Sequence, residues 1–115
     1  MSKLIEPQGY LGDMAEDQTF YFWFTSCNKD GASIAITAIG STVVYRDVSS
    51  ISVAAGITIT QDADGVTGCH RVEVILSDSD FLIGYDYRIV QTGMTVDAET
   101  LNVTLCEFSI ENRLK

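Results

Sequence analysis

The sequence predicts an all-β domain, an Ig-like antiparallel β-sandwich of about seven strands that follows an irregular N-terminal arm. Three observations predict it. Short runs of β-branched and aromatic residues alternate with period two. Gly, Asp, Asn and Ser clusters separate those runs at regular intervals. No stretch carries an apolar stripe of helical period. A chain of 115 residues with 46% hydrophobic content is long enough to bury one core and is not composed like a disordered chain.

Residues 1–17 are set apart as the arm, and 18–115 as the sandwich. The arm carries Pro7, Gly9 and Gly12 with the acidic Asp13, Glu16 and Asp17, and shows no clear alternation. It also carries Leu4, Ile5, Tyr10 and Leu11, apolar residues that either pack back or dock on a neighbour.

The period becomes two at Thr19–Thr25, an aromatic strand. Phe20, Phe22 and Phe24 share one face and are assigned to the core. Tyr21 and Trp23 share the other face, which is expected to be covered by the arm or by another subunit. Asn28–Gly31 is turn chemistry. Ser33–Ile39 alternates and reads as a strand, as does Thr42–Arg46. A Ser/Val/Ala stretch leads to Gly56, and Ile57–Thr60 is a short strand with its isoleucines inward. After the Gly/Asp loop 61–68, His70–Leu76 places Val72, Val74 and Leu76 inward and Arg71 and Glu73 outward. Ser77–Asp80 is a polar turn. Tyr85–Val90 and Leu101–Ile110 complete the set, and Gly84–Tyr87 fits a tyrosine corner, in which a tyrosine entering a late strand bonds back across the bend.

Charge narrows the function classes. Seven basic and 16 acidic residues give a net charge of -9, a surface that repels phosphate backbones and anionic lipid. Neither nucleic acid nor membrane is expected as a partner, and a partner basic at the contact is favoured. No apolar run approaches the ~20 residues of a membrane helix. Met1–Pro7 has no apolar core of a secretion signal, so synthesis in a cytoplasm is expected.

Residue inventory argues against catalysis. His70 is the only histidine, and its neighbour Cys69 points to the opposite face of a strand. Asp62, Asp64 and Gly65 begin like a calcium loop, but the glycine comes too early and the twelfth position, Glu73, lies in a strand. Asn102–Thr104 is a sequon with no secretion signal, and no glycine cluster forms a phosphate loop. No catalytic residue, metal site or cofactor is expected. Cys27, Cys69 and Cys106 are an odd set without a CxxC pair, so they read as reduced, half-buried small apolar residues or as cross-links between subunits.

Read in order, several segments resemble a group of small tailed-bacteriophage virion proteins. They are Gly9–Asp17, Phe20–Thr25, Val44–Asp47, Ala55–Asp62, Asp64–Gly68 with His70 and Val72, Gly84–Tyr87, and Phe108–Arg113. The resemblance spans nearly the whole chain. It departs from the group in its three cysteines.

That resemblance implies a non-enzymatic β-sandwich of the virion, a capsid decoration or cement protein. Its partner would be the major capsid protein or another virion protein, with homo-oligomers on the particle. The expected interface is Leu4, Ile5, Tyr10 and Leu11 of the arm with Tyr21 and Trp23. A tail or baseplate adaptor that seats a fibre is the alternative, and a cellular β-sandwich binding module a third reading.

Overall fold

A computed structural model describes residues 4–51, 56–77 and 79–111. The Ser/Val/Ala stretch at 52–55, residue 78 of the expected polar turn and the ends 1–3 and 112–115 lie outside the described residues. So do the last two residues of the Phe108–Arg113 segment.

The strands among the described residues are β1 (Ile5–Glu6), β2 (Gly9–Met14), β3 (Thr19–Ser26), β4 (Ser41–Arg46), β5 (Ser49–Ile51), β6 (Ile57–Thr60), β7 (Cys69–Ile75), β8 (Tyr85–Val96) and β9 (Glu99–Ile110). They form two sheets, β1-β3-β7-β6 and β2-β9-β8-β4-β5. Lettered in chain order, A-B-E-D faces A′-G-F-C-C′, the immunoglobulin arrangement with one strand added beyond C.

The inward face of each strand supplies the core, as period two requires. β3 is buried at every second residue, with Phe20, Phe22 and Phe24 inside. Val72, Val74 and Leu76 join them from β7 and its end, and Ile89, Met94, Leu105, Phe108 and Ile110 from the opposite sheet. Phe20 meets Phe108 edge-on across the layers, with ring centroids 5.1 Å apart, and Tyr87 stacks on Phe108 at 5.4 Å.

Tyr87 forms the expected corner. Its hydroxyl accepts from the Leu82 N–H (2.7 Å) and donates to the Leu82 carbonyl (3.2 Å), five residues back. Burial pushes its phenol above the ordinary 10.0. Two residues on, where antibody domains carry the second cysteine of the inter-sheet disulfide, stands the fully buried Ile89.

Three expectations are corrected. Within the expected arm, residues 4–17 are not irregular, because they supply β1 and β2, an edge strand for each sheet. Pro7 ends the pairing of β1 with β3, and by Gln8 the chain has crossed to the other sheet, where Gly9 (φ 74°) opens β2 and Gly12 (φ 117°) lies in its register shift. There β2 runs parallel to β9, so the sandwich is not purely antiparallel. Ser33–Ile39 is not a strand: only single bridges, Cys27 to Ser33 and Ala38 to Thr95, tie it down. This segment crosses from one sheet to the other, and the Ile34 and Thr37 N–H groups donate to Ser26 and Thr95, one partner in each layer. Finally, β8 and β9 extend beyond the expected bounds into a long hairpin closed at Asp97 and Ala98.

Candidate functional site: the outer face of the β3-β7-β6 sheet

Antiparallel register places two outward aromatics of β3 beside two charges of β7. Tyr21 lies opposite Glu73, and Trp23 opposite Arg71. β6 continues both rows, with Thr58 opposite Glu73 and Thr60 opposite Arg71. The six side chains form a grid two residues deep and three strands wide, which strand spacing makes about 7 Å by 10 Å. They line a shallow open hollow of about 560 Å³.

Each aromatic is braced rather than free. The Tyr21 hydroxyl donates to the Glu73 carboxylate at 3.0 Å. That bond, together with the carboxylate charge, holds the Tyr21 phenol above its ordinary 10.0. The Arg71 guanidinium sits over the Trp23 ring, 5.8 Å from its centroid. Bracing across strands fixes the rotamers of large side chains, which lowers the entropy lost on binding. Yet Tyr21 stays 55% and Trp23 41% exposed.

The expected interface residues therefore separate. Tyr21 and Trp23 share this grid. Tyr10, also exposed, belongs to the opposite sheet, in a second hollow of about 570 Å³ with Asp47, Asp86, Arg88 and Glu107. Its hydroxyl is 2.7 Å from the Ser109 hydroxyl, and Arg88 is paired with Glu107 at 2.9 Å. Ile5 is buried in its own core, and Leu4 and Leu11 pack half-buried against it. Of these three, Ile5 is closed to solvent, while Leu4 and Leu11 keep part of their surface.

Sequence reasoning missed that Arg71 and Glu73 meet Trp23 and Tyr21. Their outward parity was legible, but the β3-β7 register was not. It also missed a buried trio. His70 is fully buried, with Nε2 2.8 Å from the Ser26 hydroxyl and Nδ1 3.9 Å from an Asp62 carboxylate oxygen. The residue types match a nucleophile, a base and an orienting acid, but the hydrogen-bond roles run the wrong way. The Asp62 N–H donates to Nδ1 (3.1 Å), so the ring proton sits on Nε2 and points at Ser26. Ser26 in turn donates to the Ile34 carbonyl at 2.6 Å. A base would need a free Nε2 lone pair facing the serine. Burial, against the opposing pull of the Asp62 carboxylate, lowers the His70 pKa below 6.5 and keeps the ring neutral at pH 7. The trio clasps the loop 61–68, where the Asp62 side chain also accepts from the Gly68 N–H (2.8 Å).

Asp62 precedes and Asp64 lies within the one-turn 3₁₀ segment Ala63–Gly65, both with positive φ. Among the described residues no group of three or more His, Cys, Asp or Glu converges as a metal site. Cys69 and Cys106 carry free thiols. Cys106 is fully buried, and burial pushes its thiol up to about 12. It therefore cannot reach another subunit from the folded domain, which corrects the expectation that all three could cross-link. Cys27 and Cys69 are half-buried at one end of the sheet.

No family model, no curated protein and no solved structure matches this chain.

Proposed function

We propose that the chain is a non-enzymatic structural subunit of a bacteriophage particle, of the capsid decoration or cement type, which docks through the outer face of its β3-β7-β6 sheet. The observation that carries the docking surface is the braced Tyr21–Glu73 and Trp23–Arg71 grid. Trp, Tyr and Arg are the residues that most often dominate binding energy at protein interfaces. Here all three stand on one flat sheet face beside two threonines. The phage setting is supported by the ordered resemblance of segments from Gly9–Asp17 to Gly84–Tyr87 and Phe108–Arg113. The net charge of -9 suits a partner that is basic where it meets this domain.

The mechanism is burial of a small face repeated over a symmetric lattice, so that modest contacts act together. The test is the copy number of the chain in purified particles, read by quantitative mass spectrometry. Hundreds of copies per particle are expected. A few copies to a few dozen would move the chain to the tail or baseplate, and absence from particles would overturn the reading. Trp23→Thr should lower occupancy while leaving the isolated domain folded.

A further inference from the structure

The strand that carries the aromatic grid also has an open edge. The Gln18 carbonyl accepts from the Leu76 N–H (2.9 Å), and the Ser26 N–H donates to the Gly68 carbonyl (2.9 Å). Both bonds belong to the antiparallel register of β3 with β7. In that register the even residues of β3 bond β7, while the N–H and C=O groups of Thr19, Tyr21, Trp23 and Thr25 point the other way. On that other side, β1 covers only the far end: Glu6 lies opposite Thr25, and the Cys27 N–H donates to the Leu4 carbonyl (2.9 Å). Pro7 follows, and by Gln8 the chain has crossed sheets, its N–H donating to Leu105 (2.9 Å). On the side away from β7, no described strand lies beside Thr19–Trp23.

This edge also lacks the usual protections. Proteins blunt exposed edges with charges, prolines, bulges or short strands. β5 and β6 have three and four residues, and β2 carries two glycines, an aspartate and a register shift. β3 has eight residues with no charge, glycine or proline among them. Of these eight, the five from Thr19 to Trp23 are left open, and an uncharged aromatic edge of this kind is a template for strand pairing.

We propose that two copies of this chain pair antiparallel along Thr19–Trp23, about a twofold axis at Tyr21, to make one continuous eight-stranded sheet. In this register Tyr21 meets Tyr21 of the second copy, and Thr19 and Trp23 meet each other in both directions. Each of these pairs exchanges two backbone hydrogen bonds. The open stretch is itself centred on Tyr21, so the pairing is self-complementary, as a twofold contact must be. It also ends where it should. Before Thr19 the chain leaves the strand through a turn, with the Gln18 N–H on the Ala15 carbonyl (3.2 Å) and Asp17 at φ 64°, so the second copy does not run into β1. Two copies of charge -9 repel at long range, but the edge where they meet is uncharged.

The inference does not rest on the particle setting, and the test separates the two. Sedimentation velocity of the full chain, from about 10 µM to about 1 mM, should show a monomer–dimer equilibrium in the range of weak interfaces. Raising the salt should tighten it, because salt screens the repulsion. Thr19→Pro should abolish it: the Thr19 N–H faces the open edge, so proline there removes only an outward donor. That variant leaves Tyr21, Trp23, Arg71 and Glu73 in place, so its occupancy on particles reports the sheet face alone. Tyr21→Lys and Tyr21→Glu should each weaken the dimer about tenfold or more. Mixing the two should restore it, since only a twofold axis at residue 21 sets that position against itself. A monomer throughout, a dimer that weakens with salt, or a dimer untouched by these variants would overturn the proposal.

Discussion

The two faces of β3 carry the same class of residue and use it for opposite ends. Phe20, Phe22 and Phe24 are 8%, 4% and 0% exposed, while Tyr21 and Trp23 between them are 55% and 41% exposed. Phe20 meets Phe108 across the layers, and Phe24 meets His70 of the neighbouring strand in its own sheet. The outward rings meet a carboxylate and a guanidinium in contact with water. Aromatic content alone therefore does not say what a strand is for. Parity assigns one set to the core and leaves the other outside, where charges of the neighbouring strand hold it.

The largest expected effect lies on the inner face. Phe24→Ala removes a fully buried ring from between the sheets and should cost about 3–5 kcal/mol. That is a large part of the 5–15 kcal/mol typical of a domain, so urea denaturation should show either a severely shifted midpoint or an unfolded chain. A cost below about 1 kcal/mol would erase the contrast between the faces.

His70 extends the inner-face argument to pH. It sits against Phe24, with ring centroids 5.0 Å apart, and burial depresses its folded pKa below 6.5. The unfolded state then binds the proton more readily than the folded state. Stability is full above about pH 6.5 and declines as pH falls toward the folded value, by at most about 1.4 kcal/mol per pH unit for one proton. Denaturation midpoints between pH 7.5 and 5, compared with those of His70→Gln, isolate this slope. An equal slope in both proteins would show that His70 is not the group that titrates.

Much of this was legible in the sequence, and the misses share a cause. Period two in Thr19–Thr25 and His70–Leu76 assigned the inward residues correctly, because a half-buried strand writes its own faces. Gly84–Tyr87 announced the corner through a local tyrosine. What failed depended on pairing across the chain. The strand β1 has only two residues, and β2 is broken by two glycines and a register shift, so neither shows alternation, and Pro7, Gly9 and Gly12 read as loop chemistry. The β8-β9 hairpin turns at Asp97 and Ala98, with φ of 48° and 66°, where an Asn-Gly or Asp-Gly pair would have given the turn away. The grid and the Ser26–His70–Asp62 clasp both depend on register, which no single segment records.

The corner tests the interlayer from the opposite sheet. Tyr87→Phe keeps the ring stacked on Phe108 and removes only the hydroxyl that bonds the Leu82 backbone. A cost of about 1 kcal/mol is expected, the usual net worth of such a bond, read as a small shift in the thermal midpoint with an unchanged core. A cost near that of Phe24→Ala would mean that the hydroxyl, and not the ring, holds the corner.

The smallest effect on stability is expected next door to the largest. Trp23 adjoins Phe24 in sequence, yet its ring lies on the wet face under Arg71. Trp23→Thr keeps a residue suited to a strand and gives up the exposed cation–π contact, which is worth about 0.5–1 kcal/mol. The isolated domain should lose about 1 kcal/mol or less, while binding to the partner should fall by 2 kcal/mol or more, roughly thirtyfold, if Trp23 anchors the contact. The pair of measurements is decisive because the two faces predict opposite ratios. Phe24→Ala should damage folding, and binding only through folding, whereas Trp23→Thr should damage binding with folding nearly intact. Equal damage to both from Trp23→Thr would return Trp23 to the core and leave the outer face without an anchor.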